Sequence, residues 1–327
     1  MNRLSLRQLS CRAAQYNAAV AASPDLDPFC CRAEWIIPYY RAFTPHAPLW
    51  LWQSNESFVL LAQNRAPDGM PIFTPLEALW GFACPLVGTH AASLLEELLV
   101  HGKEPTFRPQ VLVLCGLPVQ GQLIHQLVTR LRSTYTAVIG APTRRCVASL
   151  AGGCEGFLRR RSSAFRRNLR QALRRTRDAG VMFERIEQLH GTAIDKAYQR
   201  ILAIEARSWK GMSGTGVDKP PMKKFYQLML RRSAPAGILR LMFATREGAD
   251  IGYIYGGLVG KHYRGLQFSF DERFAALSLG NVLQYQMIVW LCEQGAERYD
   301  LGALMPYKQK WAETEMVTHN LLLRRIG

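Results

Sequence analysis

The chain of 327 residues carries 41 lysines and arginines against 25 acids, a formal charge of +16, and 48% of it is hydrophobic. An apolar share of that size excludes global disorder, and the length suits two domains of about 150 residues each. The cationic excess comes mainly from 32 arginines. Their planar fork suits phosphate and carboxylate and favours an anionic ligand or polymer over a neutral one, although an arginine-rich coding habit explains the bias equally well.

In chain order, Asp27-Pro28 reads as a helix start running to Phe43, with Asp as cap and Pro in the first turn. Leu49 to Gln53 and Ser57 to Gln63 are a predicted hairpin across Ser54-Asn-Glu56. Residues 65–85, rich in Pro, Gly and aromatics, fit no element. A helix over Ser93 to His101, a strand over Val111 to Cys115, a helix over Gly121 to Arg132 and a strand over Tyr135 to Ile139 complete a first module, 1–150.

The second module, 151–327, is clearer. Ser162 or Ser163 caps a predicted helix to Ala179, ended by Gly180 in the left-handed position. Val181 to Ile186 is a strand, Thr192 to Trp209 an amphipathic helix, and Gly211 to Gly216 a flexible loop. Pro221 to Arg232 is a helix. Ile238 to Thr245 and Ile251 to Val259 make a hairpin over Glu247-Gly248, and His262 to Phe270 adds a third strand. A helix over Leu279 to Gln294, a short strand at Arg298 to Gly302 and a final strand over Val317 to Arg325 follow.

The eight cysteines include no C-x-x-C or C-x-x-H pair, which leaves a metal site without support and favours a reducing compartment. No apolar run approaches the ~18 residues of a spanning helix, and the first residues lack a secretory pattern. The expectation is a soluble, cytoplasmic protein with no metal and no membrane span.

Nine arginines and no acid lie between Glu155 and Asp178. On a helical wheel Phe165, Leu169, Ala172 and Leu173 line one face, with Arg166, Arg170, Arg174 and Arg177 on the opposite flank. Such a flank suits phosphates on a nucleotide cofactor, a tRNA or another polyanion at Arg159–Arg177. The competing reading is a solvated flank paired with Glu184 or Glu187. Ser278-Leu279-Gly280-Asn281 opens the helix after the hairpin series, and a helix N-terminus with a cap and a small residue suits a diphosphate. The plain alternative is an ordinary helix cap.

These residues resemble a known family. Phe165-Arg-Arg-Asn-Leu-Arg-Gln-Ala172, Phe270-Asp-Glu-Arg-Phe-Ala-Ala-Leu-Ser-Leu-Gly280, Asp300 and Tyr307-Lys308 are similar to the motifs of GNAT-fold acyltransferases of the CelD type, over roughly Phe157 to Trp311. The resemblance implies an α/β (α+β) GNAT-like fold, with two tandem modules, the N-terminal one degenerate. It implies an N-acyltransferase that moves an acyl group from acetyl-CoA or another acyl-CoA to a primary amine, free or polymer-linked, by direct attack in a ternary complex. Ser278, Leu279, Gly280, Asn281, Arg166 and Arg170 would hold the donor. Gln267 and Asp271 would orient the acceptor, with a solvent-facing strand residue and a turn former as their plain readings. Tyr307 would protonate the departing thiolate and Lys308 hold a carbonyl or phosphate; Tyr307 packed beside Trp311 is the alternative. Leu279 stands where the family often has proline, and the R-x-x-G-x-G/A phosphate loop is missing. That departure keeps open a transferase similar to the FemABX proteins, using aminoacyl-tRNA, and a non-catalytic basic scaffold.

Overall fold

The computed structural model describes residues 1–102 and 107–326. It divides into two compact units, one of Met1–Arg144 with the end of the chain from Val317, the other of Arg145–Met316.

In the first unit the strands are β1 (Asn2–Arg3), β2 (Leu49–Ser54), β3 (Ser57–Arg65), β4 (Pro71–Pro75), β5 (Leu86–Val87) and β6 (Val111–Leu117), followed by β7 (Tyr135–Ser149) up to Arg144. The helices are α1 (Leu6–Cys11), α2 (Ala13–Ala21), α3 (Ala33–Phe43), α4 (Ala91–Leu99) and α5 (Gln122–Leu131). β1 to β4 run side by side in chain order, β4 lies parallel to β6, and β5 pairs with β3. The β2–β3 hairpin forms as expected, its turn closed by Asn55 at φ 51°. Trp50, Trp52, Phe73 and Phe107 cluster on the sheet, with Trp52 and Phe107 rings 4.5 Å apart.

Two of the departures from expectation have clear local causes. α3 starts at Ala33 rather than Pro28, because the Asp27 carboxylate is spent on a turn, accepting from the backbone N–H groups of Phe29 and Cys30. The unassigned stretch before Pro85 is organised by buried Glu77. Its carboxylate accepts from the backbone amides of Trp80, Gly81, Phe82 and Ala83. Burial still pushes its pKa up, against those four hydrogen bonds.

The second unit holds α6 (Gly153–Arg159), α7 (Ser163–Asp178), β8 (Met182–Ile186), α8 (Thr192–Ala206), α9 (Trp209–Met212), α10 (Met222–Ser233), β9 (Leu239–Arg246) and β10 (Ala249–Val259). After them come β11 (His262–Phe270), a 3₁₀ helix at Glu272–Leu277, α11 (Leu279–Glu293), β12 (Arg298–Ala303), α12 (Pro306–Gln309) and the start of β13 (Thr314–Arg325). Its strand order is β7-β12-β11-β10-β9-β8. β8 to β11 are antiparallel neighbours, whereas β12 returns parallel to β11 after α11. The β9–β10 turn uses Glu247 at φ 51° and Gly248 at φ 78°, the paired positive values that a two-residue hairpin requires. α7 is capped by the Ser162 hydroxyl, which accepts from Phe165 N, as the sequence suggests. α8 stops three residues before Trp209, where Ser208 caps the short α9.

β11 and β12 pair only over His262–Arg298, Tyr263–Tyr299 and Arg264–Asp300, and then part. A buried charge cluster sits where they part. Asp300 accepts from Arg145 Nη1 at 2.7 Å, Arg264 Nη1 at 3.1 Å and the Gly302 amide at 2.8 Å. Gly302 has φ 85°, and a Cβ there would lie 2.7 Å from Arg264 Nη1, so glycine is needed both for the bend and for the guanidinium. Asp300→Asn keeps the shape but removes the buried carboxylate charge that the two guanidinium groups share. It is expected to cost about 3–5 kcal/mol in urea denaturation; a loss below about 1 kcal/mol would mean that the cluster is not a structural keystone.

Candidate functional site

The parting of β11 from β12 opens a cavity of about 430 Å³. β11 lines it from Gly265 to Phe270, β12 with Tyr299 and Leu301, and the α12 region with Met305, Tyr307 and Lys308. Beyond Arg264 the β12-facing edge of β11 has no ladder partner among the described residues, so an extended ligand could take its place there.

Tyr307 and Lys308 both line this cavity, and Lys308 Nζ lies 5.7 Å from the Tyr307 ring centre. Burial raises the Tyr307 pKa, helped by the nearby Cys146, so the phenol stays protonated at neutral pH. The ring packs edge-on to Phe268 at 6.4 Å. It is not packed on Trp311, whose ring contacts are Phe157 and Phe165. Lys308 donates to the Ala303 carbonyl at 3.2 Å. Burial, followed by the charge of Arg264, lowers its pKa to about 8.

Gln267 also lines the cavity, where its amide donates to Tyr226 Oη at 2.7 Å and its carbonyl accepts from Lys210 Nζ at 3.3 Å. Lys210 also donates to the Phe268 carbonyl and lies 3.5 Å from buried Glu205; burial lowers its pKa. Sequence reasoning missed Lys210 and Tyr226, because they reach β11 from α9 and α10 with no motif to mark them. Tyr255 Oη, Ser269 Oγ and Gln284 Nε2 are buried polar atoms on lining residues with no partner among the described residues.

Asp271 is placed elsewhere. It caps the 3₁₀ helix through Arg273 N and is gripped by the Arg273 and Arg207 guanidinium groups. Those bonds, led by Arg273, hold its pKa down at about 2. It does not line the cavity. The alternation of β11 ends before it, because the chain turns into the 3₁₀ helix at that point.

The α11 entrance differs from a simple capped N-terminus. Ser278 ends the 3₁₀ helix at φ 56°, and its side chain makes no capping bond. Its carbonyl accepts from the Asn281 and Val282 amides. Leu279 is fully buried, and a Cβ on Gly280 would sit 3.0 Å from the Phe268 ring, so this glycine serves close packing of α11 on β11. Ser278 and Asn281 do line a second cavity of about 440 Å³, together with Arg175, Lys310, Phe165 and Trp311. Arg175 Nη2 donates to Ser278 Oγ at 3.3 Å. Arg175 and Lys310 are cations that the sequence reading did not place in this site.

The arginines divide by task. Arg160 and Arg161 both pair with Glu313, and Arg161 also holds the Trp311 carbonyl. Arg166 donates to the carbonyls of Leu158 and Arg161, and neither it nor Arg170 lines the second cavity. Arg170, Arg174 and Arg177 are exposed and rim a separate groove over Leu173, Val181 and Phe183. Glu184 and Glu187 do not neutralise them: Glu184 takes Arg200, and Glu187 takes Trp290 and Gln294.

Residues 163–309 match the family model described as an acetyltransferase (GNAT) domain. Over its whole length the chain is similar in fold to a conserved protein of unknown function from Bacteroides thetaiotaomicron, with TM-score 0.65, 10% identity and 99% of each chain covered. It is similar to FemX, with TM-score 0.64, 11% identity and coverage of 98% and 97%. A C-terminal domain assigned to a lysylphosphatidylglycerol synthetase of Agrobacterium fabrum matches with TM-score 0.56, 13% identity and coverage of 95% and 92%. No curated protein sequence matches the chain significantly. The fold is therefore mixed α/β and GNAT-like, of the kind that FemX also has. Among the described residues no helix is long and apolar enough to cross a membrane, and no His, Cys, Asp and Glu group is arranged to hold a metal.

The exposed arginine rim gives a measurable expectation. Replacing Arg170, Arg174 and Arg177 with glutamine keeps helix propensity. For duplex DNA as a probe polyanion, it should flatten the log–log salt slope by about 0.9 for each phosphate no longer neutralised. An unchanged slope would reduce these residues to a solvated flank.

Proposed function

We propose that the second unit is an N-acyltransferase of the CelD type, moving an acyl group from acyl-CoA to a primary amine. The first unit is then the degenerate partner module. The observation that carries this reading is the cavity at the β11–β12 parting with Tyr307 and Lys308 on its wall. The thioester arm of the donor would run along the unpaired β11 edge, and its diphosphate would meet Ser278, Asn281, Arg175 and Lys310 in the second cavity.

The chemistry follows from the two side chains. The amine nitrogen attacks the thioester carbonyl carbon, the C–S bond breaks, and the products are an amide and a thiol. Lys308 in its neutral form takes the proton released by the amine. Tyr307, kept protonated by its surroundings, gives a proton to the departing sulfur, and Lys308 then restores it. Gln267, held by Tyr226 and Lys210, orients the acceptor. Asp271 supports the end of β11 from outside the cavity and does not touch the acceptor.

A second reading rests on the exposed arginines of α7 and on the fold shared with FemX: the donor would be an aminoacyl-tRNA docked on Arg170, Arg174 and Arg177. Calorimetry separates the two, since binding of coenzyme A supports the first, and tight binding of charged tRNA without coenzyme A supports the second. The eight cysteines, all thiols in this structure, favour a reducing compartment such as the cytoplasm.

Two outcomes are expected of an acyl-CoA assay. Tyr307→Phe should lower kcat by roughly 10²–10⁴-fold with little change in acceptor affinity, and less with a thioester whose leaving thiol has a low pKa. Wild-type turnover by this variant would remove Tyr307 from the mechanism. A base must be deprotonated to act, so the rate should rise with pH through about 8, the pKa of Lys308, and level off above it. Lys308→Arg, charged throughout, should abolish that rise.

A further inference from the structure

The cavity at the β11–β12 parting, which on the reading above also takes the donor's arm and the acceptor, is walled mostly by apolar side chains. At about 430 Å³ it falls among pockets that enclose whole small molecules. Its walls include Ile254, Leu266, Phe268, Phe270 and Leu301, and no Asp or Glu lines it. Two lysines do, Lys210 and Lys308, so a polycationic ligand would meet like charge. At the rim, Trp209, Met305 and Tyr307 are 56%, 46% and 42% exposed. Scattered apolar side chains on a surface are ordinary, but three converging on one cavity, whose wall is mostly apolar with Tyr255, Ser269 and Gln284 among its polar members, mark a ligand that covers them. Trp209 is held there by its neighbour, since Lys210 Nζ is tied to the Phe268 carbonyl at 2.9 Å.

We propose that this cavity houses a medium-length aliphatic acyl chain, so that the transferred group is a fatty acyl rather than an acetyl group. The proposal rests on the acyltransferase reading above and adds the class of donor. The chain would lie against Leu266, Phe268 and Leu301 and pass under Trp209, leaving the thioester carbon near Tyr307 and Lys308. Each methylene then leaves water for an apolar wall, which multiplies affinity about fourfold.

The probes are free coenzyme A, its S-methyl, S-hexyl and S-decyl thioethers, and the corresponding alkanoates, titrated into the full chain by calorimetry and tryptophan fluorescence. The expected result is affinity rising by about fourfold per methylene from S-methyl to S-hexyl, with a blue shift in emission that Trp209→Phe removes. Met305→Asp, an exposed position, should cut the ratio of S-decyl to S-methyl affinity at least tenfold while the melting temperature holds. Equal affinity for all thioethers and for coenzyme A would overturn the chain pocket and leave the acyltransferase reading standing. Length-dependent binding of alkanoates without any coenzyme A binding would support the pocket and overturn the coenzyme A donor. Binding of none of the probes overturns both.

Discussion

Everything at the site depends on one buried carboxylate. Asp300 lies between the guanidinium groups of Arg145 and Arg264 and takes the Gly302 amide as a third donor. Buried cations of this kind tolerate no loss of their counter-charge, so the three residues fix one another's positions. They do so at the last paired register of β11 and β12. The ladder is held firmly up to Arg264 and is absent beyond it. A cavity opened by two diverging strands is only as well defined as the point from which they diverge, and the cluster defines that point. It also sets the electrostatics of the cavity, because the charge of Arg264 is one of the causes that lower the Lys308 pKa.

Rigidity on the other wall comes from packing. α11 rests on β11 through Gly280, where the Phe268 and Phe270 rings occupy the space a side chain would need. The same Phe268 ring meets Tyr307 from its other neighbour, so helix, strand and proposed proton donor are in one line of contact. Gln267 between them is held by Tyr226 and Lys210 rather than left free to solvent. A polar group fixed in an apolar wall orients a ligand without the entropy loss a mobile side chain would suffer.

The arginine-rich helix shows how one sequence run is divided between architecture and surface. Just ahead of it, buried Arg161 and exposed Arg160 tie Glu313 to the start of α7, and Arg161 also holds the Trp311 carbonyl. Arg166 closes the preceding turn. Arg159, Arg167, Arg170, Arg174 and Arg177 face water, and Arg175 turns to the α11 entrance at Ser278. Counting charge along the sequence treats these as one patch; burial separates them into three.

The sequence by itself determined the elements and the neighbourhood of the site. Helical periodicity with a serine cap at Ser162 or Ser163 placed α7, paired turn residues placed the β9–β10 hairpin, and the order of strands and helix from Ile238 to Trp311 pointed to a GNAT-like fold. Those signals are local, since caps, turns and amphipathic periods act within a few residues. Tertiary structure alone decided which polar groups meet. It took Asp271 away from the cavity to cap a 3₁₀ helix, moved Tyr307 from Trp311 to Phe268, and turned Ser278-Gly280 from a simple cap into a packing junction. It also brought in Lys210 and Tyr226 from two other helices. Contacts between distant segments depend on the packing of whole elements, and no short run of residues carries that information.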